Sequence, residues 1–99
     1  MIVAFSVAPS GGESDSVSVA VARAVRVVAD SGLPYELNAM FTLVEGEWDE
    51  VMEVVHRAVE AASEGASRTS LVLKADIRPG YTGQLRAKVD RVQQHLSDH

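Results

Sequence analysis

Three histidines, fourteen carboxylates and no cysteine are what this chain offers for catalytic or metal chemistry. The lack of cysteine removes a thiol nucleophile, a disulfide framework and a thiolate metal site together. His56 stands four residues before Glu60 on a polar helical stripe, and His95 and His99 fall in the final turns of the sequence. No two histidines share metal-ligand spacing with a carboxylate, so a zinc or iron site is not expected. No serine stands in a nucleophile-elbow context. Ser10-Gly11-Gly12 lacks the pattern that cradles phosphate ahead of a helix. Enzymatic chemistry therefore has little to work with, and binding is the better expectation.

The chain-wide numbers agree. Ninety-nine residues with 46% apolar and 23% charged content predict one folded domain and exclude a disordered chain. A net charge of −5 argues against nucleic acid or an anionic membrane as partner. The apolar opening run is too short for a signal peptide's central region, and nothing approaches the ~20 apolar residues that span a bilayer. With no cysteine, the expected location is the reducing cytoplasm. Two Phe, two Tyr and one Trp against abundant Ala and Val give a thin core, of the kind that often needs a second subunit.

These residues must be carried by definite elements. Val3, Phe5 and Val7 alternate with Ala4, Ser6 and Ala8, a period of two that predicts a strand from Ile2 to Ala8, ended by Pro9-Ser10-Gly11-Gly12. Ser14, Asp15 or Ser16 then caps a helix from Val17 to Ser31, stopped by Gly32. Its polar stripe is Arg23, Arg26 and Asp30, and its remaining Val and Ala surface predicts burial over a wide arc. Tyr35 to Gly46 holds either two short strands reversing near Ala39 to Thr42 or one bent strand. Glu47, Asp49 and Glu50 open a second helix whose Val51, Val55, Ala58 and Ala62 recur at i, i+4, i+7 and i+11. Thr69 to Arg78 alternates again, with Leu71, Leu73, Ala75 and Ile77 expected inward. After Pro79-Gly80, a helix from Thr82 to Leu96 carries Leu85, Val89, Val92 and Leu96 on a narrow stripe. Two strand–helix–strand halves predict an α+β fold: a ferredoxin-like split βαβ, with a four-stranded antiparallel sheet, two helices on one face and an added C-terminal helix.

That arrangement leaves one sheet face open. Ala4, Ser6 and Ala8 would form a shallow floor there, suited to a ligand or a second subunit. The stripe of the last helix either crosses a subunit boundary or folds back over its own sheet. Lys74, Asp76 and Arg78 on one strand face read as a guard against edge aggregation, with a cross-subunit ion-pair ladder as the alternative.

Ser6-Val7-Ala8-Pro9 with Ser14-Asp15-Ser16-Val17-Ser18, then Ser31-Gly32-Leu33-Pro34-Tyr35-Glu36-Leu37 with Met40 and Thr42-Leu43-Val44-Glu45-Gly46, form a recognisable series. Leu73-Lys74-Ala75-Asp76-Ile77-Arg78 ahead of Lys88-Val89 completes it. Over essentially its whole length the chain resembles the small thiamine-binding protein family. The resemblance implies the same fold, self-association to a dimer or tetramer, and a ligand such as thiamine or its hydroxymethylpyrimidine half. The chain differs from the family pattern at Pro9-Ser10-Gly11-Gly12 and at Arg78-Pro79-Gly80-Tyr81.

Such a ligand joins a cationic thiazolium to an aminopyrimidine. Its site needs a carboxylate, hydroxyl or amide groups, and an aromatic wall. Glu45 is the candidate carboxylate, and its competing role is to complement the N-terminus of the helix that follows. Ser6 and Thr42 are candidate hydroxyls from the sheet floor, against ordinary strand polarity. Asn38 is a candidate amide, against a turn role. Tyr35 and Phe41 are candidate walls, with Trp48 beside them, and each competes with a place in the core. The expectation is non-enzymatic binding without a cofactor or metal. The alternatives are a carrier or sensor for another small metabolite, or a purely structural assembly module. An acylphosphatase on this fold needs an Arg in the first loop, and an RNA-recognition domain needs aromatic residues on the central strands. Neither is present.

Overall fold

The computed structural model describes residues 1–12 and 17–98. The capping residues expected at Ser14 to Ser16 lie outside it. In chain order the elements are β1 (Ile2–Ser10), α1 (Val17–Asp30), β2 (Tyr35–Leu37), β3 (Thr42–Glu45), α2 (Trp48–Ala62), β4 (Arg68–Asp76) and α3 (Gln84–Ser97). The strands form one sheet in the order β2-β3-β1-β4, every neighbouring pair antiparallel. This is the split βαβ arrangement that the two halves of the sequence predict. The region between α1 and α2 resolves into two strands rather than one bent one.

Period-two alternation does what it promised in β1. Val3, Phe5 and Val7 are buried under α1 and α2, while Ala4 and Ser6 face the other side. The core closes over them with Ala24 and Val28 of α1, Val44 of β3, and Val51, Val54, Val55, Ala58 and Ala62 of α2. Small side chains let the helices approach closely, so the core is dense but thin. The α2 helix begins with a capping box in which the Glu47 N–H donates to Glu50 Oε1 at 3.1 Å. His56 pairs with Glu60 and Glu53 with Arg57 along its wet face.

Several expectations need correction. Burial on α1 is a narrow stripe of Ala20, Ala24 and Val28, not a wide arc. Arg23 is not on a solvated face: its Nε donates to the Ala61 carbonyl at 2.9 Å, tying α1 to the end of α2. Leu71 and Ile77 are exposed rather than inward: Leu71 lies on β4, an edge strand with no neighbour on its outer side among the described residues, and β4 ends at Asp76, before Ile77. Arg78 thus leaves the strand face it was expected to share with Lys74 and Asp76, and its guanidinium stacks 3.6 Å over the Tyr81 ring. Trp48 stands at the start of α2, 54% exposed, and so takes no place in the core.

The positive φ of Gly11 and Gly12 has a packing reason as well. A Cβ on Gly12 would fall 1.9 Å from the Gly65 carbonyl oxygen, so the end of β1 can lie against the turn before β4 only with glycine there. The α3 helix lies on the open side of the sheet and buries Leu85 alone. Val89, Val92 and Leu96 remain exposed. Its overhang gives the chain extents of 51 × 30 × 20 Å and a radius of gyration of 15.1 Å, above the ~13 Å of a compact chain this long.

Candidate functional site

Residues directly opposite one another in an antiparallel pair share a face. Phe5 opposes Thr42, and Phe5 is core, so Thr42 lies on the helix side. Ser6 opposes Val72 on the open side. The two hydroxyls expected on one floor are therefore on opposite faces. They still meet at one place. The β3 pairing stops at Phe5–Thr42, while β1 continues to Ser10 paired only with β4. Where β3 is missing, the chain turns away through residues 38–41 and leaves a cleft at the unpaired edge of β1.

That cleft has a volume of about 170 Å³ and brings together Ser6, Asn38, Phe41 and Thr42, with Phe5, Val21, Leu37 and Met40 as its apolar lining. Asn38 fixes its lip. Its Oδ1 accepts the backbone N–H of Met40 and of Phe41, each at 2.9 Å, and its own N–H donates to the Phe41 carbonyl at 3.0 Å. The turn role expected as an alternative for Asn38 is thus real, and it occupies the oxygen but not the Nδ2 donor. Thr42 is buried and Phe41 half-buried. No carboxylate among the described residues lines the cleft.

Glu45 is elsewhere. Three strand steps from Thr42, about 10 Å along β3, it is one of two buried polar residues among those described, 5% exposed. Its Oε2 accepts the Gln84 N–H at 2.9 Å and its Oε1 the Leu85 N–H at 3.3 Å. Glu45 does complement a helix N-terminus, but that of α3 and not of α2, which is closed by Glu47. The reason is visible at the start of α3. Its cap is Gly83, which has no side chain to accept the first N–H groups, so a carboxylate from the sheet does so. Tyr35 is paired with Val44 on the edge strand, on the helix side, and takes no part in the cleft.

A second concavity of about 440 Å³ lies between α3 and the open face. Ile2, Ala4 and Leu43 form its floor, and Leu85, Lys88 and Val89 overhang it. Lys88 Nζ donates to Asp76 Oδ2 across one wall. That bond, together with the positive charge of Lys88, holds the Asp76 carboxyl below the usual carboxylate range. Arg86 reaches Glu36 of β2 at 3.6 Å. Gln84, Leu85 and Lys88 were missed as site-forming residues. The signal that could have found them is the glycine cap of α3, which demands a remote acceptor.

No helix among the described residues is long and apolar enough to cross a membrane. The family model for thiamine-binding proteins matches residues 3–93. A UPF0045 protein of Mycobacterium bovis is 50% identical over 97 residues, covering 97% of this chain and 94% of that one. Among solved structures, a hypothetical protein of Methanocaldococcus jannascii superposes with a TM-score of 0.81 at 28% identity, covering 93% of this chain and 94% of that one. A Thermotoga maritima protein with a suggested role in thiamine biosynthesis or salvage superposes with a TM-score of 0.73 at 27% identity, covering 89% and 95%. The family is named for binding rather than for a reaction. With a match spanning nearly the whole sequence, the chain belongs to the thiamine-binding protein family.

Proposed function

We propose that this chain is a non-enzymatic, cytoplasmic binder of the hydroxymethylpyrimidine half of thiamine, working as a homo-oligomer. The observation that carries the reading is the cleft holding Ser6, Asn38, Phe41 and Thr42. Its volume of about 170 Å³ suits one aromatic ring, since a cavity of ~150 Å³ accepts benzene. Two hydroxyls and an amide donor match the acceptors and the amino group of a pyrimidine, and Phe41 with Met40 supplies an apolar wall. With no carboxylate among the described residues in the cleft and Glu45 bound to the start of α3, the thiazolium cation gains no charge partner from the described residues. The free pyrimidine should therefore bind at least as well as whole thiamine.

Self-association rests on the open face. Val89, Val92 and Leu96 continue the apolar stripe of α3 beyond its own sheet, Leu96 being 68% exposed. An isolated helix of about 14 residues is marginal in water, so a second copy over this face would supply what the stripe lacks. Thermal-shift measurements test the ligand reading: a ligand at 100 times its Kd adds about 2.7 kcal/mol of stability. A shift with hydroxymethylpyrimidine that disappears in Phe41→Ala supports the cleft. A shift unchanged by that substitution removes it.

A further inference from the structure

The groove under α3 is the larger of the two concavities, and the pyrimidine reading leaves it unused. Its volume of about 440 Å³ lies within the range of small-molecule sites, about 300–1,000 Å³. Strand register fixes its floor. Ala4 stands between Leu43 of β3 and Lys74 of β4, and Ile2 stands opposite Asp76, so these five side chains share the open face. Leu85 and Val89 of α3 overhang the apolar part. Gln84 brings an amide to the lining, but both ends of its side chain are engaged. Its Nε2 donates to the Thr82 carbonyl at 3.0 Å, and its Oε1 accepts from Arg91 at 3.3 Å. The interior therefore suits an apolar body.

The rim carries an excess of one sign. Its ionisable groups, among the described residues, are Lys74, Asp76 and Lys88. Lys88 Nζ donates to Asp76 Oδ2, and that pair cancels. Lys74 makes no hydrogen bond or ion pair among the described residues and acts on Asp76 only through its charge. In a chain of net charge −5, the groove thus ends at an uncompensated ammonium. We propose that the groove binds a small apolar monocarboxylate, with its chain or ring between α3 and the sheet and its carboxylate against Lys74. A lysine is a point charge on a flexible stem, so one of them balances a single negative charge and would leave a phosphate dianion half-neutralised. The groove shares no lining residue with the pyrimidine cleft, so either site can hold or fail without the other. The competing occupant is a second copy seated over the open face.

Isothermal titration with hexanoate, octanoate and decanoate tests the proposal. One molecule should bind per chain, about 4-fold more tightly for each added CH₂ that the groove buries. Lys74 is exposed, so Lys74→Met keeps the fold and the apolar stem while removing the charge. It should weaken decanoate about 3- to 5-fold, as for loss of an exposed ion pair, and leave 1-octanol within about 2-fold. Asp76→Asn releases Lys88 and should tighten decanoate by a similar factor. Ala4→Leu fills the floor and should abolish binding of both decanoate and 1-octanol. No saturable binding of decanoate at millimolar concentration would overturn the proposal. So would an affinity independent of chain length, or one unchanged in Ala4→Leu, since either places the contact outside the groove. Decanoate bound equally by wild type, Lys74→Met and Asp76→Asn would overturn the placement of the carboxylate. A changed solution mass in Ala4→Leu, with no decanoate bound by wild type, would assign the face to a second copy instead.

Discussion

Glu45 holds Gln84 by a 2.9 Å hydrogen bond that closes a loop of 39 residues and joins the end of β3 to the first turn of α3. The same carboxylate holds the Leu85 N–H, so one buried side chain stands in for the cap that Gly83 cannot provide. This makes Glu45 a structural anchor for the overhanging helix.

The first prediction follows from that anchor. Glu45→Ala leaves two N–H groups at the start of α3 without an acceptor and should cost about 1–3 kcal/mol. Glu45→Gln keeps one acceptor and should cost less. Urea unfolding followed by far-ultraviolet circular dichroism measures both. Hydroxymethylpyrimidine affinity should stay within about 2-fold in either variant, because Glu45 does not line the cleft.

Asn38 separates turn from ligand. Asn38→Asp retains the oxygen that accepts the Met40 and Phe41 N–H groups but loses the Nδ2 donor. It should keep its melting temperature within a few degrees and bind the pyrimidine more weakly. Asn38→Ala loses both roles and should also lose about 1 kcal/mol of stability. Paired calorimetric and thermal-melt data distinguish the two effects.

The Asp76–Lys88 bond predicts a pH dependence of known sign. Lys88 lowers the folded-state pKa of Asp76. The bond therefore contributes stability above the ordinary aspartate pKa, and the contribution is lost as pH falls through the lowered folded value. Wild type should exceed Asp76→Asn in stability at neutral pH, with the difference shrinking to nothing in strong acid. Denaturant titrations of both proteins from neutral pH downward check it, and a difference that grows in acid would reverse the assignment.

The cleft hydroxyls give a fourth test. Thr42→Val keeps the buried shape and removes one hydrogen-bonding group, and Ser6→Ala does the same from the open side. Each should weaken the pyrimidine about 3- to 10-fold, corresponding to ~0.5–1.5 kcal/mol for one hydrogen bond. Neither should change the mass of the protein in solution.

Much of the fold was legible because its signals are local. The alternation of Val3, Phe5 and Val7 and the repeat of Val51, Val55, Ala58 and Ala62 each mark a buried face directly, and the structure buries all seven. The site was less legible because its geometry depends on register. Whether Thr42 shares a face with Ser6 turns on its pairing with Phe5, and a slip of one residue reverses every side chain. The destination of Glu45 depended on a helix almost forty residues away. Leu71 carried the alternation of a core strand, yet β4 is an edge strand, and no pattern within it reports that position in the sheet. Asn38 was ambiguous from sequence for a different reason: it holds the turn through its side-chain oxygen and is at the same time a residue of the cleft lining.

Isothermal titration of the wild-type protein with hydroxymethylpyrimidine, and separately with thiamine, tests the central claim most directly. The account predicts saturable binding of one pyrimidine per chain, at least as tight as thiamine and at least 10-fold weaker in Phe41→Ala. No heat with either ligand at millimolar concentration, or thiamine bound far more tightly than the free pyrimidine, would contradict it.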